Sequence, residues 1–305
     1  MEILNCCKNE EEWNFEQETP FQTTLFPKIQ NLDYKFFYAS NGRKHLFYLA
    51  RFGFLRVARM QFPRPDKESL KEFVLICQKN HWIPYISTFE DLKLCSAQEA
   101  GFANIINMKT PAYDKGCRCN IKKALKEGVE IKKLETKKDW QEMNLLHNAL
   151  LNRKNIAYNS ESRSKMYEEL YQYSEEQKNA QKNEKNKKNN FGTLLYGAFH
   201  NNKLISGLVV CYAKRYCLFT KSATDSDAYY LAPGPLLIKT FCNAEKDRFD
   251  FFDLNIGVDS AHKSGELNAI AKFKRQFGNQ VPVYTNMPSW YSFLRKIKEK
   301  IQHKM

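Results

Sequence analysis

With 305 residues, 43% of them hydrophobic and 14% aromatic, the chain is long enough for one large or two modest domains with real cores. Its 48 Lys and Arg against 34 Asp and Glu give a formal net charge of +14, which points toward anionic partners: RNA, nucleotide-linked substrates or an anionic membrane face. A shared richness in Lys and Asn offers a purely compositional source for the same charge.

No apolar run approaches the roughly 20 residues needed to span a bilayer. The start, Met1-Glu-Ile-Leu-Asn-Cys6, lacks the basic stretch and apolar core of a secretory signal. The expectation is a cytoplasmic protein, with peripheral contact at the inner face of the membrane left open. The nine cysteines include no C-x-x-C pair and no Cys/His cluster with zinc spacing, so buried reduced thiols and no metal site are expected.

Taken in order, the segment up to about Pro20 reads as acidic and irregular. Aromatic-rich strands follow at Phe36–Tyr38, Leu46–Leu49 and Phe54–Ala58, with Ser40-Asn-Gly42 as a hairpin signal. The spacing of Leu70, Phe73, Val74 and Cys77 predicts a helix over 66–80 capped by Asp66, and Trp82–Ser87 reads as another strand. Gly116–Gly128 predicts a helix with Cys117, Ile121, Ala124 and Leu125 on its buried face and Arg118, Lys122 and Lys126 along one side. A strand over 129–134 and a helix over 138–152 follow. Residues 174–190 are low in complexity and hold no large apolar side chain, which predicts the end of a helix running into a flexible loop, a solvated one or a nucleic-acid arm. Strands at 193–199, 204–213 and 216–222 read as consecutive and antiparallel. A helix begins at Pro233-Gly-Pro235, a strand follows at 251–256, and another occupies 281–285. The final helix, 289–302, reads as basic on its outer side.

One residue between those last strands suggests chemistry by placement alone. On a helical wheel from Gly265, Leu267, Ile270, Ala271 and Phe277 share a face, and Lys274 sits in the middle of it. A lysine aimed into an apolar surface is costly unless it has a partner or a task. Its stem can pack there while its head reaches water, or pairs with Asp253 one strand earlier. Asp253 itself reads as a general base, as a group orienting Lys274, or as a helix cap or strand-end hydrogen-bond acceptor. The Arg118, Lys122 and Lys126 stripe suits a phosphate-rich ligand such as a pyrophosphate or tRNA backbone, and equally the solvated face of an amphipathic helix.

Several motifs in order, Leu231-Ala-Pro-Gly-Pro-Leu-Leu-Ile238 with Ala244-Glu245, Phe251-Phe-Asp253-Leu254, Phe273-Lys274-x-x-Phe277-Gly278, the basic helix from Arg118 to Gly128-Val129, and Pro20-Phe-Gln-Thr23, resemble the Fem-type peptidoglycan aminoacyltransferases. The match is best over 116–284. The resemblance implies an α/β (α+β) fold of two GNAT-like domains, each a central mixed or antiparallel sheet flanked by helices, with the last helix returning to the first domain. The corresponding division is 1–113, a shortened first domain; 114–287, the acyltransferase domain with its loop at 174–190; and 288–305. It also implies transfer of an aminoacyl group from aminoacyl-tRNA to the amine of a nucleotide- or lipid-linked cell-wall precursor, without a bound cofactor. Lys274 would stabilise the carbonyl oxygen or the leaving ribose, and Phe273 would line the substrate. Two rivals stand beside it: a GNAT enzyme using an acyl-CoA or carrier thioester, and a non-catalytic RNA-binding or interaction protein. Pro233-Gly234-Pro235 argues against ordinary acetyl-CoA, because prolines remove backbone donors from the turn where a GNAT cradles pyrophosphate.

Overall fold

The structure, a computed structural model, describes residues 2–4, 13–14, 16–30, 32–62, 66–182, 191–257 and 265–302. Its elements begin with β1 (Glu2–Leu4), α1 (Leu25–Ile29), β2 (Tyr34–Tyr38), β3 (Lys44–Phe52), β4 (Leu55–Gln61), α2 (Lys67–Lys79), β5 (Ile83–Thr88) and β6 (Ala97–Asn107). Then come α3 (Lys115–Lys126), β7 (Glu130–Leu134), α4 (Lys137–Arg153), α5 (Ser160–Lys182), β8 (Phe191–His200), β9 (Lys203–Ala213) and β10 (Tyr216–Thr224). The chain finishes with α6 (Pro233–Glu245), β11 (Phe251–Gly257), α7 (Gly265–Arg275), β12 (Asn279–Met287) and α8 (Ser289–Gln302). Two compact units result: Met1–Asn104 with Ile256–Arg275 and Gln280–Met305, and Ile105–Asn255 with Gln276–Asn279. The sequence division fell at 113/114; the units change at Asn104/Ile105.

In the first unit the strands are ordered β1-β2-β3-β4-β5-β12-β6. The hairpin signal is realised, with Gly42 at φ 80° between β2 and β3. Asp66 caps α2, accepting from the Glu68 and Ser69 amides at 3.2 and 3.4 Å. That helix buries Leu70, Phe73 and Cys77 against Phe37, Phe47, Met60 and Ile86 of the sheet. On a second cluster, Tyr291 of α8 packs with Val57, Ile83 and Met287. The last helix thus returns to the first sheet, as expected.

The Pro20-Phe-Gln-Thr23 motif acts here as a clamp. Gln22 is buried; its Nε2 donates to the carbonyls of Leu46 (3.3 Å) and Gln61 (2.7 Å), and its Oε1 accepts from the Leu46 amide (3.0 Å). The β3–β4 ladder runs from Phe52↔Leu55 to Tyr48↔Arg59, so Gln22 supplies partners where that ladder stops.

In the second unit the order is β11-β10-β9-β8-β7. The pairs from β7 to β10 are antiparallel, and β10 with β11 is parallel. α4 carries a capping box, Thr136 with Asp139. Met143 of α4 lies over Gly207, where an added Cβ would come 2.1 Å from its sulfur.

Several expectations need correction. The N-terminal segment is not wholly irregular: β1 pairs with β2, and Trp13 is buried against Phe36. The strand β6 was missed because its Ala, Gln, Glu and Gly have low strand propensity, which tertiary pairing overrides. Leu125 is 56% exposed, since the buried stripe of α3 is Cys117, Ile121 and Ala124. The helix α5 continues to Lys182; the rest of the expected loop, 183–190, lies outside the described residues, as do Cys6 and Cys7.

Candidate functional site

The second unit holds one place where its sheet is built to part. The parallel register of β10 and β11 runs Tyr216↔Phe251, Cys217↔Phe252 and Leu218↔Asp253. β10 continues to Thr224 and β11 to Gly257, yet no further pair of this ladder follows among the described residues. The register of β10 on β9 slips between Phe219 and Lys221, directly after the last paired residue. This bulge leaves Thr220 over, and its hydroxyl donates to the Val209 carbonyl at 2.9 Å. A bulge bends the strand that carries it. In open α/β sheets the crevice beyond the carboxyl ends of neighbouring strands is where ligands bind.

Asp253 stands at the last pair, fully buried. Its two oxygens are engaged separately: Oδ2 accepts from the Tyr216 hydroxyl at 2.6 Å, and Oδ1 from the Asn255 amide at 2.7 Å. Asn255 has φ 72°, a left-handed conformation that asparagine tolerates better than most residues. Burial, and then the adjacent carboxylate, push the Tyr216 hydroxyl far above its ordinary range, so it stays protonated and donates. On the other face of the sheet, Phe252 meets Phe219 and Phe241 at ring distances of 6.5 and 4.7 Å. Pro233 and Pro235 are the first and third residues of α6, which begins without a side-chain cap.

A basic group lies where α4 and α5 meet β10. His147 Nδ1 is 2.9 Å from the Tyr167 hydroxyl and 3.3 Å from Arg163 Nη1. Burial, then the charges of Arg163 and Lys221, push the imidazole down to about 4, leaving it neutral at physiological pH. Burial and Arg163 also hold Lys221 below the ordinary lysine range. Arg163 lies over the Tyr158 ring at 4.7 Å, and its buried Nε has no hydrogen-bond partner. This arrangement supplies positive potential and a neutral imidazole, which favours an anionic group.

The sequence-predicted residues fall as follows. Asp253 belongs to the second unit, and Lys274 and Phe273 to the first; those two are half-buried in the last turn of α7. Ala271 is buried, Ile270 is 42% exposed, and the side chain of Leu267 lies outside the described residues. Arg118, Lys122 and Lys126 line the exposed side of α3, and Arg118 Nη1 donates to the Tyr113 carbonyl. Phe277 and Gly278 have a structural duty: Phe277 bridges to Tyr113, and the Gly278 amide donates to the Ala112 carbonyl at 3.0 Å. A Cβ on Gly278 would lie 2.3 Å from the Ile105 oxygen. Tyr216, His147, Arg163 and Tyr167 were missed, because their partners are 16 to 37 residues away. Lys221, a lysine inside an apolar strand, was a signal available in the sequence.

No family model matches the chain, and no curated protein does. Solved structures do. At 10% identity and a TM-score of 0.63, the chain is similar over 96% of its length to 95% of the C-terminal domain of a putative lysylphosphatidylglycerol synthetase from Agrobacterium fabrum. At 11% identity and 0.63 it is similar over 93% of its length to 98% of a conserved protein of unknown function from Bacteroides thetaiotaomicron. At 13% identity and 0.61 it is similar over 99% of its length to 98% of L-PGS from Bacillus licheniformis. At these identities the likeness is one of fold, and the chain shares that mixed α/β fold across nearly its whole length.

Proposed function

We propose that the protein is a GNAT-like N-acyltransferase that moves an aminoacyl group from aminoacyl-tRNA to an amine of a lipid- or nucleotide-linked acceptor, a cell-wall precursor being the first candidate. The observation that carries the reading is the β10–β11 fork, with the buried Tyr216–Asp253 pair at its base. Acyl transfer needs a water-poor crevice, a stabilised carbonyl oxygen and a route for one proton. In the step, the amine nitrogen attacks the ester carbonyl, the C–N bond forms, and the C–O bond to the ribose breaks. The amine proton passes to the Tyr216 oxygen as Tyr216 hands its own to Asp253; the relay then runs back, Asp253 returning its proton to Tyr216 as Tyr216 gives one to the ribose oxygen, which leaves as a hydroxyl. Lys274 is assigned to the developing oxyanion on the strength of the Fem-type resemblance, with Phe273 beside the substrate. Arg118, Lys122 and Lys126 are assigned to phosphates of the tRNA or acceptor. No resident cofactor is required. One chain of similar fold is the C-terminal domain of a putative lysylphosphatidylglycerol synthetase, which adds a phospholipid to the acceptors worth assaying.

Purified protein should be offered charged tRNA and acyl-CoA in parallel, with amine-bearing precursors and lipids as acceptors. Transfer from charged tRNA, lost in Lys274→Ala with RNA binding intact, is the expected result. Transfer from acyl-CoA alone overturns the donor; RNA binding without any transfer favours a non-catalytic protein.

A further inference from the structure

The helix α8 turns the wrong face to water. Its buried side holds Tyr291, Ser292 and Arg295: the Ser292 hydroxyl and Arg295 Nη1 both donate to Glu99, at 2.6 and 3.1 Å, and the Tyr291 ring meets Phe52 edge-on at 5.4 Å. Opposite that side run Trp290, Phe293, Leu294 and Ile297, spaced i, i+3, i+4, i+7 and 50, 63, 38 and 39% exposed. An amphipathic helix in a globular unit ordinarily buries such a stripe; this one turns Tyr291, Ser292 and Arg295 inward instead.

A second exposed apolar group stands at the end of a hairpin in the sheet that α8 packs on. Phe52 and Leu55, which pack against the Tyr291 cluster, flank the hairpin tip between β3 and β4. That tip carries Phe54, 95% exposed. Beside it Arg51 and Arg56 are direct cross-strand partners, a like-charge pairing that costs stability unless an anion lies near. Arg51, Arg56 and Lys296 of α8 are all exposed, and among the described residues none has a carboxylate partner. Neither the tip, 50–56, nor the described side chains of α8, 289–297, include an acidic residue.

We propose that the α8 stripe and the Phe54 tip form a docking surface for an anionic lipid bilayer. Tryptophan and phenylalanine lying on an apolar helix face, bordered by cations, are suited to the boundary between headgroups and acyl chains. The cations match the negative surface potential of acidic lipids. A second copy of the chain is a poorer occupant, because a self-paired patch would bring Arg51, Arg56 and Lys296 toward their own duplicates on a protein of net charge +14. The inference does not rest on the acyl-transfer reading, and its test involves no catalysis.

The full chain is mixed with vesicles of phosphatidylcholine alone or with one quarter phosphatidylglycerol, and bound protein is read by co-sedimentation. Binding to the anionic vesicles is expected, with little to the neutral ones and weakening as salt rises. Phe293→Ser with Trp290→Ser lowers the affinity at least about tenfold, and Phe54→Ser several-fold, with little change in the thermal melts because these side chains are half or more exposed. Equal binding by the variants, or no binding to either vesicle, overturns the proposal. So does a concentration-dependent dimer that the double variant abolishes.

Discussion

Acidification should destabilise the second unit through His147, and the size of the effect follows from where the imidazole sits. It is 7% exposed, and burial, then Arg163 and Lys221, bring its pKa from 6.5 to about 4. Above pH 6.5 the imidazole is neutral whether the chain is folded or not, so it contributes no pH dependence. Between pH 6.5 and about 4 only the unfolded chain takes up the proton, and stability falls as pH falls. At about 1.4 kcal/mol per pH unit the full loss is about 3 kcal/mol, with about 1 kcal/mol of it already gone at pH 5.5. Urea unfolding at pH 7.5, 5.5 and 4.5 measures this directly. Carboxylates also titrate at the acid end, so the informative quantity is the difference between the native chain and His147→Gln, which cannot take up the proton. The variant should be less stable at pH 7.5, because Tyr167 and Arg163 lose their imidazole partner, and the gap should narrow as pH falls. A gap that stays constant from pH 7.5 to 4.5 refutes the reasoning, since the imidazole would then carry the same proton load folded and unfolded.

Gln22→Ala leaves the Leu46 amide and the Leu46 and Gln61 carbonyls without the side chain that pairs them, and should cost about 2–4 kcal/mol in urea unfolding. Gly278→Ala puts a side chain at φ 63° and a Cβ 2.3 Å from the Ile105 oxygen. It should lower stability by at least about 2 kcal/mol, read as a fall in Tm. Tyr216→Phe and Asp253→Asn should each lower kcat by about a hundredfold if the pair carries the proton. The double variant should lose little more than either single one, because the two side chains act together; additive losses would separate their roles.

The parts of the fold legible in the sequence are those fixed within a turn or two of chain. Asp66 before Leu70, Phe73 and Cys77 carries its own cap and stripe, so α2 can be read directly. The hairpin at Gly42 and the antiparallel run from β8 to β10 are legible for the same reason. The Tyr216–Asp253 contact is of another kind. It depends on the register of two parallel strands joined across α6, and nothing local in Arg215-Tyr-Cys217 or Phe252-Asp-Leu254 states that Leu218 will face Asp253. Gly278 shows the same limit from the other side: its place after a helix suggests a stop, whereas its requirement is the backbone of Ile105, 173 residues earlier, pressed against its Cα. In α8 the wheel alone allows two orientations, one burying the Trp290 stripe and one burying Tyr291, Ser292 and Arg295. Burying aromatic area favours the first. The second is the one observed, because Glu99 accepts from both Ser292 and Arg295, and Tyr291 fits among Val57, Ile83 and Met287. Burying the stripe instead would turn Arg295 away from Glu99 and leave a half-buried carboxylate without its cation. Specific partners on β5, β6 and β12 therefore decide the rotation of α8, and the apolar face left outside becomes available to an external surface.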